Sequence, residues 1–120
     1  MDIYYYSITG QTKRFTEKLG LTCYEIAPNQ PDIAVKDDFL LIVPTYEKEM
    51  TEPVWDFLDY EGNHHHLKGV IGAGNRNFAD LFVFTAKDIA KEYQVPLVYA
   101  FEFSGNQEDV DYVKKVVNES

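Results

Sequence analysis

The sequence predicts an α/β protein built on a doubly wound sheet of five parallel strands with helices on both faces. Short apolar runs alternate with amphipathic stretches along the 120 residues, which is the pattern of strands joined by helices. The run Phe39–Val43 is apolar on both faces, as a strand covered by helices on each side must be. We find no repeat, low-complexity segment or Gly/Ser linker, so we expect residues 1–120 to form a single domain.

The five predicted strands are short apolar runs of four to seven residues. The first is one isoleucine followed by three tyrosines, and the fifth is entered through Pro96. In chain order they are Ile3–Tyr6, Thr22–Ile26, Phe39–Val43, Leu67–Gly72 and Leu97–Phe103.

The four predicted helices repeat apolar residues at helical spacing. Gly20 ends the first helix, since glycine tolerates the left-handed conformation of a helix C-terminus. Pro53 fits the first turn of the second helix, and Ser104 or Asn106 caps the last one. The predicted helices are Thr12–Leu19, about Glu52–Tyr60, Ala79–Tyr93 (with Phe82, Ala86, Ile89 and Ala90) and a closing helix with Val110, Val113 and Val117.

This element order restricts the topology of the sheet. Right-handed crossovers leave a few doubly wound strand orders, of which we expect 2-1-3-4-5. In such a sheet a ligand binds beyond the carboxyl ends of the strands, where the strand order reverses. The segments after the first, third and fourth strands are therefore the candidates for a binding site.

The first of these segments, Ser7-Ile8-Thr9-Gly10-Gln11-Thr12, opens a helix. Its hydroxyls, its glycine and the N–H groups of a helix N-terminus together suit an anion. The alternative is a hydroxyl-rich turn with an ordinary helix cap.

The other two segments, 44–51 and 74–78, carry aromatic residues at the same edge. Together with the first they form a slot for a flat ring, with Tyr46 or Phe78 against its face. The alternative makes Tyr46 an ordinary strand-end aromatic and Phe78 a core residue in the first turn of a helix.

The pattern Ser7-x-Thr9-Gly10-x-Thr12 resembles the phosphate loop of flavodoxins, in the right place after the first strand. The resemblance implies that Ser7, Thr9, Gly10, Gln11 and Thr12 hold the phosphate of FMN. A neutral cradle of donors is sufficient for such a phosphate.

Four further segments are similar to the NrdI family, the flavodoxin-like activators of class Ib ribonucleotide reductase. They are Pro44-Thr45-Tyr46, Gly72-Ala73-Gly74-Asn75-Arg76-Asn77-Phe78, Gln94–Leu97 and Phe101–Val110. The resemblance covers nearly the whole chain and adds Thr45, Tyr46, Glu47, Gly74, Asn75, Asn77 and Phe78 to the expected FMN site.

The resemblance also implies a redox function without a catalytic side chain, because the chemistry belongs to the flavin. A separate flavin or flavodoxin reductase reduces the protein, dioxygen takes the electrons, and the oxidant, superoxide, reaches the dimanganese site of the reductase small subunit. The chain departs from the family twice: Glu47–Met50 lacks the usual glycines, and Ala79 replaces a glycine.

Composition disfavours several other classes. A net charge of −9 repels nucleic acid, and no apolar run approaches the ~20 residues that span a bilayer. The start Met1-Asp2-Ile3 has no signal-peptide pattern, so we expect a cytoplasmic protein. The single cysteine, Cys23, is predicted to be a buried, inert thiol. His64–His66 is predicted to be a solvated loop and not a metal site.

Two alternative functions remain open at this point. One is a generic electron-transfer flavodoxin that serves another enzyme. The other is a receiver-like signalling domain, which needs acidic residues after the first strand and a phosphorylatable aspartate after the third. The segments Ser7–Thr12 and Pro44–Tyr46 stand in those places and disfavour a receiver.

Overall fold

The computed structural model describes residues 1–119, with Asp80 described by its backbone alone. Its five strands form one sheet in the order β2-β1-β3-β4-β5, and every neighbouring pair is parallel. The predicted strand order is therefore confirmed. The strands are β1 Asp2–Tyr5, β2 Cys23–Glu25, β3 Phe39–Val43, β4 Leu67–Gly74 and β5 Leu97–Glu102.

Helices cover both faces of the sheet. Two stretches of 3₁₀ helix, Tyr60–His66 and Arg76–Leu81, precede β4 and the third helix. None of the helices described combines the length and apolar character needed to cross a membrane. The helices are α1 Gln11–Leu19, α2 Lys48–Asp59, α3 Phe84–Tyr93 and α4 Gln107–Asn118.

The central strand β3 divides two hydrophobic cores. Leu41 and its alternate neighbours pack with Val54, Phe57 and Ile89 of α2 and α3. Leu40 and Ile42 pack on the other face, in a cluster that takes in α1 and α4. All five residues of β3 are buried, as the apolar run predicts.

Helix α2 begins four residues earlier than predicted. Pro53 stands inside it and not in its first turn. A proline there removes one helical hydrogen bond. In the added turn Thr51 is buried and the carbonyl of Met50 accepts the Tyr6 hydroxyl, so tertiary contacts of this turn outweigh that loss. The segment after β3 is consequently a loop only as far as Glu47.

Helix α3 begins at Phe84, so the predicted start at Ala79 is wrong. Ala79 has φ 50° and ψ −117°, and Val83 has φ 51°, and neither conformation continues a helix. Phe82, which was counted in the apolar repeat of this helix, instead follows the 3₁₀ segment and packs partly buried against the core. At the last helix, Asn106 forms a capping box with Asp109, which selects Asn106 over Ser104 as the cap.

Replacing Ala79 by glycine is expected to raise the free energy of unfolding by about 1 kcal/mol. The backbone of Ala79 matches the glycine position of a type II′ turn, where a side chain costs about 1–3 kcal/mol. The greater freedom of glycine in the unfolded chain offsets about 0.4–1 kcal/mol of that gain. Urea denaturation of the cofactor-free protein measures the change. Ala90→Gly inside α3 is the control and should lose about 1 kcal/mol. A lower free energy of unfolding for Ala79→Gly would show that the backbone of Ala79 is not strained.

Candidate functional site

A cleft of about 670 Å³ lies at the carboxyl edge of the sheet, between the segments that follow β1, β3 and β4. This volume is in the range of small-molecule and cofactor sites. The position is the reversal of strand order, since β1 lies between β2 and β3. The lining residues are Ile8, Thr9, Gln11, Thr12, Pro44, Thr45, Tyr46, Glu47, Met50, Ala73, Gly74, Asn75, Phe78, Leu81, Phe84 and Phe103.

The loop before α1 is shaped from inside by Ser7. The Ser7 hydroxyl oxygen accepts hydrogen bonds from the N–H groups of Gly10, at 3.2 Å, and Lys13, at 3.3 Å. Gly10 has φ 91°, a conformation that favours glycine. The first N–H groups of a helix lack helical partners, so those of Gln11 and Thr12 are available to an anion.

Thr12 is the most informative side chain of this loop. It is 1% exposed and lines the cleft. Among the hydrogen bonds of the described residues, its hydroxyl has none. The hydroxyl is therefore free to donate to a polar ligand group in the cleft at the start of α1.

Hydrogen bonds from other elements fix the segment after β3 at three of its residues. The Thr45 hydroxyl donates to the carbonyl of Ala73 at 2.7 Å, which joins it to β4. The Tyr46 N–H donates to the Thr85 hydroxyl oxygen at 3.1 Å, and the same hydroxyl donates to the Tyr46 carbonyl at 2.9 Å. The Tyr6 hydroxyl donates to the carbonyl of Met50 at 3.1 Å. The cleft wall is therefore preorganised.

The segment after β4 passes close to Thr45. A Cβ on Gly74 would lie 3.1 Å from the Thr45 hydroxyl oxygen and 3.2 Å from Val83, so glycine permits this approach. The Asn75 side chain accepts the N–H of Asn77 at 2.9 Å and caps the 3₁₀ segment. Arg76 pairs with Glu102 at 3.2 Å.

Large apolar side chains form the rim of the cleft. Phe78 is 62% exposed, so the interpretation of this residue as part of the core is wrong. Leu81, Phe103 and Met50 are also exposed and also line the cleft. Such a cluster of exposed apolar residues is typical of a ligand or partner site.

Nine of the twelve predicted site residues line the cleft, and three do not. Ser7 and Gly10 shape the loop before α1, and Asn77 lies in the exposed 3₁₀ segment after β4. Seven further lining residues were not predicted. Ile8, Pro44 and Met50 lie within the predicted loops, and Phe103 follows β5 at the same edge of the sheet. Their positions at strand ends were the signal by which the sequence could have identified them. The others are Ala73, Leu81 and Phe84.

The histidines of the segment 64–66 and Cys23 are not among the residues that line the cleft. In the described residues no three His, Cys, Asp or Glu side chains come together as a metal site. His64 contacts the Leu58 carbonyl through Nδ1 at 3.1 Å, whereas His66 contacts Asp38 at 3.4 Å. Cys23 is half-buried rather than fully buried, and this burial raises the pKa of its thiol to about 11. Near neutral pH the Cys23 side chain is therefore almost entirely in its protonated thiol form.

The donor set of the cleft fits FMN. Neutral hydroxyls and helix N–H groups at one end suit a phosphate dianion, and no lysine or arginine stands among the described lining residues. Tyr46 and Phe78, which also line the cleft, provide apolar faces for a flat ring. The fold and this cleft define a flavodoxin-like protein.

Comparison with known proteins gives the family. A family model described as NrdI flavodoxin like matches residues 3–115. Protein NrdI of Bartonella quintana (strain Toulouse) is 41% identical over 118 residues, which are 94% of this chain and 89% of that protein. Protein NrdI of Salmonella paratyphi A is 37% identical over 123 aligned positions, 98% of this chain and 90% of that protein. The chain belongs to the NrdI flavodoxin-like family and binds FMN.

Solved structures support the fold alone. A short-chain flavodoxin associated with a non-canonical PDU bacterial microcompartment superposes with a TM-score of 0.67, covers 98% of this chain and 93% of that chain, and is 17% identical. A flavodoxin of Streptococcus pneumonia TIGR4 superposes with a TM-score of 0.65 and is 19% identical. The superposition covers 98% of this chain and 94% of that chain.

Proposed function

We propose that the protein is the FMN-dependent activator of a class Ib ribonucleotide reductase small subunit, acting in the cytoplasm as one domain over residues 1–120. The supporting observation is that the family match, over residues 3–115, runs across all three loops of the cleft. The sequence's single cysteine, Cys23, suits a reducing compartment. Bound FMN, reduced by a separate flavin or flavodoxin reductase, would pass one electron to each dioxygen and so supply superoxide for assembly of the metal–radical cofactor.

The residues of the cleft supply binding, orientation and access in this proposal. Thr9, Thr12 and the N–H groups at the start of α1 bind the phosphate, where the helix dipole favours negative charge. Tyr46 and Phe78, which both line the cleft, would pack against the ring. Glu47 is the one acidic residue among the described lining residues, and it places negative charge beside the cofactor.

A reconstitution assay tests the function directly. The metal-loaded small subunit is mixed with this protein, FMN is reduced anaerobically, and oxygen is then admitted. The expected result is a radical signal by electron paramagnetic resonance that requires both FMN and this protein. Reduction of FMN without any radical would reject this function and favour the alternative, an electron-transfer flavodoxin that serves another enzyme.

Charge reversal at Glu47 and Glu49 is expected to slow association with the small subunit. Both side chains are exposed at the entrance to α2, beside the cleft. Charges at the rim of an interface act mainly on the association rate, and added salt should shrink the difference. Stopped-flow or surface-binding kinetics of the Glu47→Lys/Glu49→Lys variant measure the effect.

The matched control reverses Glu17 and Glu92, which are exposed in the last turns of α1 and α3. In a parallel sheet the helix C-termini lie at the edge opposite the cleft, so this variant should associate at the wild-type rate. Equal slowing by both pairs would indicate a general charge effect, and salt-independent association would place the docking surface elsewhere.

A further inference from the structure

Thr85 stands behind the cleft wall and contacts the backbone of Tyr46 twice. Its hydroxyl oxygen accepts the Tyr46 N–H at 3.1 Å, and its O–H donates to the Tyr46 carbonyl at 2.9 Å. One side chain thus satisfies both polar backbone groups of a residue 39 positions away. Thr85 is 2% exposed and is not among the residues that line the cleft.

The packing of α3 fixes the position of this hydroxyl. Thr85 is the second residue of α3, and Ala86 follows it. A Cβ on Gly72 would lie 2.8 Å from the Cβ atoms of both Ala86 and Val83, so the first turn of α3 presses directly on β4. A tightly packed element has little freedom to move its side chains. The two hydrogen bonds therefore hold the backbone of Tyr46 to the rigid part of the fold.

We propose that Thr85 is a positioning residue that fixes the backbone of Tyr46 in the FMN cleft, an inference that rests on the proposed function. Thr45 is held separately through Ala73, so Thr85 is the side chain that controls the next peptide along. While the Tyr46 carbonyl accepts the Thr85 hydroxyl, it cannot turn towards the cofactor. Thr85 also sets the point from which the Tyr46 side chain reaches the cleft.

The first test uses the cofactor-free protein. Thr85→Val keeps the shape of the side chain and removes its hydroxyl. Amide hydrogen exchange of Tyr46 should accelerate roughly five-fold or more, as expected for loss of a buried hydrogen bond. Thr85→Ser restores the hydroxyl and should restore protection. Thr16→Val is the matched control, because Thr16 is a buried threonine that donates within α1 to the Lys13 carbonyl at 2.7 Å.

The second test uses the protein loaded with FMN. Thr85→Val should change the long-wavelength flavin absorbance seen during anaerobic reduction, whereas Thr85→Ser and Thr16→Val should match the wild type. Because Thr16→Val also removes a buried, hydrogen-bonded hydroxyl, a general loss of stability would change the absorbance in both valine variants.

Three results would overturn the proposal. They are unchanged Tyr46 exchange in Thr85→Val, failure of Thr85→Ser to restore protection, and, should Thr85→Val not fold, an unprotected Tyr46 amide in the wild-type protein. None of them depends on the reductase subunit or on oxygen. An inactive protein in the reconstitution assay with the predicted exchange pattern would reject the proposed function and leave the role of Thr85 intact.

Discussion

Replacing Thr12 or Thr9 by alanine is expected to weaken FMN binding by about 1.5–3 kcal/mol each, the range for hydrogen bonds to a charged group. Both residues line the cleft, and the Thr12 hydroxyl has no hydrogen-bond partner among the described residues. Fluorescence titration of FMN into the cofactor-free protein measures the change. Thr22→Ala is the control, because Thr22 is exposed beyond the far end of α1.

Gly10→Val should weaken FMN binding more than either threonine variant. A Cβ at Gly10 would meet no protein atom within 4 Å, so the loss comes from the backbone at φ 91° and from obstruction of the cofactor. Gly20→Val is a matched control: Gly20 also has positive φ, at 67°, also has no atom within 4 Å, and caps the opposite end of α1. It should lose stability but keep its affinity for FMN.

Riboflavin separates the phosphate from the ring. It lacks the phosphate, so we expect it to bind at least roughly 100-fold more weakly than FMN, which corresponds to two charged hydrogen bonds at the lower end of their range. Comparable affinity for the two flavins would place the phosphate away from Ser7–Thr12.

The sheet and the position of the loop before α1 at the cleft could be predicted from the sequence because their signals are local. Apolar runs such as Phe39–Val43 mark buried strands without knowledge of the partner strands. The hydroxyls and glycine of Ser7–Thr12 stand together in the chain and act together in the fold. Handedness rules restricted the sheet to a few doubly wound strand orders, and the expected order 2-1-3-4-5 is one of them.

The parts that could not be predicted depend on contacts between distant segments. Pro53 is normally a sign of the start of a helix, yet α2 begins at Lys48, where burial of Thr51 and a hydrogen bond from Tyr6 hold the preceding turn. Thr85 lies 39 residues from Tyr46 in a segment that reads only as the interior of a helix. Phe103 lines the cleft from the end of the fifth strand, in a segment that carries the family resemblance but was not assigned to the site. Tertiary packing decides each of these cases.

The missing glycines at 47–50 lead to the last prediction, which concerns the redox behaviour of bound FMN. The resemblance to flavodoxins implies that the blue, one-electron-reduced flavin is stabilised where a backbone carbonyl can turn towards N5, a change that is easiest where glycine permits positive φ. Here each nearby carbonyl already has a donor. The Tyr46 carbonyl accepts from Thr85 at 2.9 Å, and the Glu47 carbonyl accepts the Met50 N–H at 2.9 Å. Lys48 already belongs to α2.

Turning one of these carbonyls is therefore unfavourable. Positive φ at a residue with a Cβ costs about 1–2 kcal/mol, and the broken hydrogen bond costs about as much as the new one gains, ~0.5–1.5 kcal/mol. We expect an anaerobic reductive titration to pass from the oxidised to the fully reduced spectrum with little blue form. A strong blue band near the midpoint of the wild-type titration would show that the segment turns without glycine.

Two variants at one position separate the backbone from the charge. Glu47→Gly relieves the restriction on φ and should increase the blue form, because glycine adopts positive φ without steric cost. Glu47→Gln removes the negative charge beside the cleft but keeps the Cβ, so the blue form should stay low while the reduction potential rises, since less negative charge then opposes an anionic reduced flavin. If Glu47→Gln increased the blue form as much as Glu47→Gly, charge and not backbone conformation would control the redox states of the flavin.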